Sequence, residues 1–385
     1  MRSKPRIAIL AHSTNPRGGV VHSLELGDAL TRLGHDVTVF APDPAGKGFF
    51  RDALCKTVGV PARPTGKNIS EMVEIRVADY LRYFSQPENR RFDVWHAQDG
   101  ISGNALATLK ERGHIPAFAR TVHHVDSFDD EELCALQVRA IRAADRRFVV
   151  SRLWQDFLAH ELALDAVLIG NGVDTKRFSP MRDQTDAALR ARLGLTGNAP
   201  VFLAVGGIEE RKNTLRLLQA FLSLSPKYPG CRLAITGGAS LLDHDAYQRQ
   251  FHEVMAQSGA AGDAVIATGP LPQELMPALY RAASTLVFPS TREGFGLVVL
   301  EAMASGVPVV TSQIPPFTEY LSDEVEWCDP FDAASIARAM ERSLNAGHRR
   351  QLMTRGRAVA ARHSWDSAAR AQLARYEALR EPVDA

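Results

Sequence analysis

The sequence predicts an α/β protein made of two Rossmann-like domains, each a doubly wound parallel sheet. Three observations predict it. The 385 residues exceed the roughly 100–200 of a single domain and suffice for two separate cores. Short β-rich runs alternate with longer amphipathic stretches, the pattern of parallel strands joined by crossover helices. That rhythm lapses once, between about Asp174 and Pro200, and then resumes.

In the first half Ile7–Ala11, Val37–Ala41, Val94–His96, Ala117–Val122 and Phe148–Val150 read as strands, separated by stretches of helical period. In the second half Val201–Val205, Leu233–Thr236, Val265–Ala267, Leu286–Pro289 and Val307–Thr311 repeat the scheme. The tail from Asp332 to Leu379 reads as helices only, broken near Gly347 and at His363–Ser364, so it does not extend a sheet. The expected domains are 1–171 and 199–362, with a linker at 172–198 and a final helical segment at 363–385 that crosses back to the first domain. No internal repeat or low-complexity segment interrupts them.

Composition narrows the function. Lys+Arg 45 against Asp+Glu 44 leaves a formal charge of +1, with no excess to hold a polyanion, so nucleic acid is not an expected partner. Cys55, Cys134, Cys231 and Cys328 lie far apart without a CxxC pair, which points away from a zinc ribbon or redox dithiol and toward a reducing cytoplasm. The basic N-terminus MRSKPRIAILAHS carries an apolar run too short for a signal peptide and reads as the first strand. No stretch approaches the ~18 apolar residues of a spanning helix, so any membrane contact is expected to be peripheral.

The most informative stretch runs from Pro289 to Val310 and reads strand, glycine loop, helix, glycine stop, strand. Gly294 and Gly296 let backbone approach a ligand closely, and the following helix N-terminus presents N–H groups to a phosphate or sugar oxygen. Glu293 sits in the loop, whereas Glu301 falls in the second turn of the helix, so the two carboxylates need not share a face and are expected to hold different parts of one ligand. A carboxylate can accept from two vicinal hydroxyls, as on a ribose. A plain helix start with a salt-bridged glutamate is the competing reading.

Glu293 and Glu301, with seven residues between them, form an EX7E motif within PS-x-x-EGFG-x-x-x-LEAMA-x-G-x-PVV. This segment resembles the retaining glycosyltransferases of family 4, relatives of glycogen synthase. The resemblance extends over Asn15–Val20, Thr121–His123, Asn171–Asp174 with Phe178 and Pro180, Val205–Asn213, Thr268–Gly269 and Leu279–Tyr280. It implies the GT-B fold, two Rossmann-like domains facing across a cleft, with the acceptor side on the first and the nucleotide sugar mainly on the second. It implies further that Glu301 binds the nucleotide ribose. Glu293 and the amides of Gly294, Phe295 and Gly296 then bind the donor sugar, and Arg211 and Lys212 the diphosphate. Fixed cations suit a departing nucleoside diphosphate, which gathers negative charge. The nucleotide sugar is a co-substrate, and the resemblance implies neither a metal nor any other cofactor.

One departure concerns the phosphate contacts. Many family members carry Gly-Arg after the strand at 201–205, whereas Gly206 here is followed by Gly207, and Arg211 is the candidate replacement. Gly18 and Gly19 open the first crossover, where the chain needs a tight turn and where a diphosphate or acceptor can meet backbone N–H groups. The family's donor-sugar histidine corresponds to His123 by its Thr-Val-His context, with His124 next to it as the alternative. Asp126, Asp129 and Asp130 beside this pair could suggest a metal. Ser127 followed by acids instead reads as a capped, acid-rich helix start. His96 and Asp99 end a strand and either face the acceptor or cap the next helix. Arg139, Arg142, Arg146 and Arg147 form either a membrane-facing stripe or a solvated face.

The resulting expectation is a metal-independent retaining enzyme that moves a sugar from a nucleotide-diphosphate donor to an unidentified acceptor. A GT-B sugar-nucleotide epimerase and a non-enzymatic sugar-nucleotide sensor are the alternatives. A nicotinamide oxidoreductase would need G-x-G-x-x-G after a strand, which Ile9–Gly19 and Val205–Asn213 both lack.

Overall fold

The computed structural model describes residues 4–66, 68–195, 197–238 and 244–379. The chain divides into two compact units, Met1–Asn171 with Trp365–Ala385, and Gly172–Ser364. The first unit begins β1 (Arg6–Leu10), α1 (Gly18–Arg32), β2 (Asp36–Asp43), β3 (Lys56–Pro61), α2 (Ile69–Phe84), β4 (Val94–Ala97) and α3 (Gly100–Glu111). It continues with β5 (Ala119–Val122), α4 (Glu131–Arg142), β6 (Arg146–Val149), α5 (Arg152–Leu162) and β7 (Val167–Leu168). Its seven strands pair in the order β3-β2-β1-β4-β5-β6-β7, all parallel. Buried on both faces, β1 is a continuous apolar run from Ile7 to Leu10, as parallel strands between helical layers require. Tyr80 and Phe84 of α2 close one face with Phe40, Trp95 and Phe118, and Phe40, Phe84 and Trp95 meet edge to face.

The second unit comprises α6 (Gln184–Arg192), β8 (Val201–Val205), α7 (Thr214–Leu224), β9 (Arg232–Thr236), α8 (Asp245–Gln257), β10 (Val265–Gly269), α9 (Met276–Ala282) and β11 (Thr285–Phe288). It ends with α10 (Leu297–Ala304), β12 (Val309–Ser312), α11 (Phe317–Tyr320), β13 (Glu326–Cys328), α12 (Ala333–Ser343) and α13 (Ala346–Arg362). Six parallel strands run β10-β9-β8-β11-β12-β13. Leu217, Leu218 and Phe221 of α7 and Ile336 and Met340 of α12 pack on Phe202, Leu233, Val287 and Val310 of the sheet.

Each expected strand is present, and three more, β3, β7 and β13, lie at sheet edges. The segment 172–198, expected as a linker, belongs to the second unit. Its helix α6 is tied down by the buried Asp186, which accepts from Arg281 of α9 at 2.7 and 2.9 Å, and by the buried Leu189. The last helix, α14 (Trp365–Tyr376), groups with the first unit and packs on α1. Among the described residues no helix is long and apolar enough to cross a membrane.

Candidate active site

Two constellations gather the candidate residues, one in each unit. In the second sheet the strand order reverses between β8 and β11, the switch point where doubly wound sheets bind ligands beyond the strand ends. The loop after β8 carries Arg211 and Lys212, and the loop after β11 carries Glu293. They converge. Oε1 of the buried Glu293 accepts from Nη1 of Arg211 at 2.7 Å and from Nζ of Lys212 at 2.7 Å. Glu209 lies 3.8 Å from the guanidinium on another side. Burial by itself would raise the Glu293 carboxyl, but Lys212 and Arg211 outweigh it and hold the group below its ordinary value. Burial lowers the Lys212 ammonium in turn, against the pull of Glu293.

Backbone geometry explains why Lys212 fits. Gly206 has φ +131, and a Cβ there would stand 2.6 Å from Cε of Lys212. The Lys212 ammonium lies 4.6 Å from the centre of the Phe288 ring, and its stem fills the space that Gly206 leaves empty. Gly207, where the family resemblance leads one to expect arginine, has φ +82, and a Cβ would meet the Gly238 carbonyl oxygen at 2.9 Å. No arginine fits at 207 with this backbone, whereas Arg211 brings a guanidinium to the cluster from four residues further on. Both cations precede α7, which is capped by Asn213 in the left-handed region, so they do not lie in the helix against its dipole.

The glycine loop is clamped by aromatic rings. Phe295 stacks on Tyr320 at 4.7 Å, Tyr320 donates to the Phe295 carbonyl at 3.1 Å, and His363 stands against both rings. Gly296, with φ +93, caps α10 where a Cβ would lie 2.6 Å from Phe317. Glu301 sits in the second turn of α10, and its Oε2 accepts from the phenol of the buried Tyr280 at 2.6 Å. Burial, reinforced by Glu301, pushes that phenol well above its ordinary value, so it stays a donor. The two glutamates thus have separate partners, a cation pair and a phenol.

In the first sheet the order reverses between β1 and β4. Gly18 and Gly19 open α1, and neither has a positive φ. A Cβ on Gly18 would meet nothing within 4 Å, and one on Gly19 would lie 3.5 Å from Cδ2 of His123. Folding therefore does not demand glycine at 18. His123, half-buried, donates from Nε2 to Oε1 of Gln98 at 3.0 Å, which leaves Nδ1 as an acceptor. Burial, with nearby His22, His124, His96 and Arg120, holds its pKa well below 6.5. His124 is exposed and bonds Asp126 at 3.1 Å.

His96 neither faces a ligand nor caps a helix. It is fully buried, bonded through Nδ1 to the Tyr376 hydroxyl at 2.6 Å and through Nε2 to Thr121 at 2.8 Å. Asp99 does cap α3, in a capping box with Ser102. The cap of α4 is Asp130 rather than Ser127, and no group of three or more His, Cys, Asp or Glu among the described residues could hold a metal ion. Arg139 bonds Glu111 and Asn104, Arg146 bonds the Asp145 carbonyl, and Arg147 bonds the carbonyls of Ile141 and Arg142, so three of the four arginines in the stripe make hydrogen bonds within the fold. The sequence reading missed His22, Gln98 and Tyr320. His22 stands one turn beyond Gly18–Gly19, a spacing that offered a signal; the other two offered none.

Profiles of two families match the chain, "Glycosyltransferase Family 4" over residues 16–177 and "Glycosyl transferases group 1" over residues 185–359. D-inositol 3-phosphate glycosyltransferase of Acidothermus cellulolyticus is 30% identical over 417 residues, covering 98% of this chain and 91% of that one. The chain belongs to glycosyltransferase family 4. The glycosyltransferase is also 30% identical over 266 residues to the lipopolysaccharide core mannosyltransferase LpsB of Rhizobium meliloti, covering 69% and 72% of the two chains. In fold it matches sucrose-phosphate synthase from Thermosynechococcus elongatus, with TM-score 0.80, 24% identity and coverage of 98% and 99%. Anabaena HepE in complex with UDP and glucose matches with TM-score 0.76, 18% identity and coverage of 97% and 99%. The GT-B fold implied by the motif is therefore the fold of this glycosyltransferase, and the epimerase and sensor alternatives find no counterpart among these relatives.

Proposed function

We propose that the glycosyltransferase binds a nucleoside-diphosphate sugar on its second unit and transfers the sugar with retention of configuration and without a metal ion. The observation that carries this reading is the sharing of one Glu293 oxygen by Arg211 and Lys212 at a sheet switch point. An ammonium has three donors and a guanidinium five, so both can hold Glu293 and still turn N–H groups toward a diphosphate. As the glycosidic bond to the diphosphate breaks, negative charge grows on the phosphate oxygens beside these cations and is stabilised there. Glu293 then lies next to the sugar, and Glu301, oriented by Tyr280, accepts from the ribose. His123 presents Nδ1 as an acceptor for a sugar hydroxyl, and the exposed His124 is left out of that role. The leaving diphosphate takes the acceptor proton, so no enzymic nucleophile is required. HepE was solved with UDP and glucose, which supports a nucleotide-sugar donor here. The name of the Acidothermus relative makes D-inositol 3-phosphate the first acceptor to try.

A thermal-shift panel of UDP-, GDP- and ADP-sugars identifies the donor, because a ligand bound only to folded protein raises its apparent stability. Glu301→Gln and Glu293→Gln then test the roles by calorimetry. Losing a charge-assisted hydrogen bond costs about 1.5–3 kcal/mol, roughly a tenfold to 150-fold effect. Glu301→Gln should weaken donor and free nucleoside diphosphate alike, while Glu293→Gln should lower turnover with diphosphate affinity nearly intact. Equal losses of diphosphate affinity, or no effect from either change, would overturn the assignment. Product NMR reports the anomeric configuration, and inversion would remove the proposed retention. EDTA should leave the rate unchanged; a loss restored by Mg²⁺ or Mn²⁺ would refute metal independence.

A further inference from the structure

His22, on the α1 face that follows Gly18 by one turn, is fully buried. Its Nδ1 donates to Oδ1 of Asn171 at 2.7 Å, which fixes the Nδ1–H tautomer, and its Nε2 finds no partner among the described residues. The ring stands edge-on to Trp365 at 5.1 Å and edge-on to His123 at 4.7 Å. Asn171 ends the first span of this unit and Trp365 begins its second span. One imidazole therefore touches both places where the chain leaves and re-enters the unit, and also touches the histidine assigned to the sugar. Burial lowers its pKa to about 4, so it stays neutral near pH 7. A buried ring nitrogen without a partner is costly where an apolar ring would pack without that cost, so packing alone does not account for a histidine here.

We propose that His22 is a positioning residue: bonded to Asn171 and wedged against Trp365, it sets the tilt of the His123 ring and so aims Nδ1 of His123 at the donor sugar. The inference rests on the reading that His123 serves the reaction. Gln98 holds His123 at Nε2 only, and one hydrogen bond leaves a ring free to pivot about it. The edge of His22 removes that pivot. Misplacement of a group by about 1 Å can cost on the order of 100-fold in rate, so a ring that touches no substrate can still govern turnover.

Full-length variants test this with UDP-glucose, or with the panel sugar that raises the melting temperature most. His22→Asn keeps an amide donor near the place of Nδ1 and removes the ring; His22→Phe keeps the ring and removes the bond to Asn171. His22→Asn is expected to lower kcat by roughly 10- to 100-fold with little change in KM for the donor. His22→Phe should recover part of that loss. In a His123→Ala background His22→Asn should cost nothing further, since its effect passes through His123. Multiplying losses, or a wild-type kcat for His22→Asn, would overturn the inference while leaving the role of His123 standing. An unaltered kcat for His123→Ala would remove the reading and the inference together. If His22→Asn melts below the assay temperature, Trp365→Leu takes its place, with the same kcat loss and the same masking by His123→Ala expected.

Discussion

Gly18 and Gly206 are both glycines beside candidate ligand groups, yet the backbone demands only one of them. At Gly206, φ +131 and a virtual Cβ 2.6 Å from Lys212 exclude a side chain. Gly206→Ala should therefore cost about 1–3 kcal/mol of stability and dislodge the lysine, lowering donor affinity; denaturant unfolding and calorimetry read the two effects. At Gly18 nothing in the structure stands within 4 Å of the missing methyl. Gly18→Ala should leave the melting temperature unchanged while slowing turnover if a ligand occupies that space. An unchanged rate would make Gly18 merely the start of a helix. The glycines were legible in the sequence as loop and turn residues, but their different demands were not, because φ and the distance to a neighbour are set by the tertiary fold.

At the scale of elements, α14 shows how a helix can serve as the wall of a site. Trp365 meets His22, and Tyr376 meets His96 while also donating to Gln372. Burial lowers His22 to about 4, and burial followed by the effect of His22 lowers His96 to about 3. Unfolded, both titrate near 6.5, so between that value and the folded ones the unfolded chain binds more protons. Stability is complete above about pH 6.5 and falls as pH drops toward 4 and 3, by a few kcal/mol for each histidine. Denaturant unfolding at pH 7.5, 6 and 5 should show this slope, and His96→Gln should remove its share; an unchanged slope would mean that His96 takes up its proton at the same pH folded as unfolded.

The interior strands were readable because parallel strands covered on both faces must be apolar throughout, as in Ile7–Leu10 and Val201–Val205. Of the edge strands, β3, β7 and β13 escape that demand, while β10 keeps the apolar run Val265–Ala267 that marks it. β3 is mostly exposed along Lys56–Pro61, β7 is two residues long and β13 three, so none leaves an apolar run to detect. Aromatic packing was equally silent in the sequence: Phe84→Ala should cost about 3–5 kcal/mol, measured by urea unfolding, because its ring is fully buried against Phe40, Tyr80 and Trp95.

For the whole molecule, the order of the units along the chain differs from their order of completion. The second unit is one continuous span, Gly172–Ser364, whereas the first is made of two spans and includes α14. On the ribosome, residues 4–171 emerge first but lack the helix that packs on α1 and supplies Tyr376 to His96. The span made later can reach its native state earlier, and the span made earlier must wait for the last helix. A chain released at Ser364 should give a protease-resistant second unit beside a first unit that is readily digested, reversing the usual N-terminal-first sequence of synthesis and folding. Translation speed over the codons for Trp365–Tyr376 would then bear on how long His22 and His96 stay exposed to chaperones and proteases.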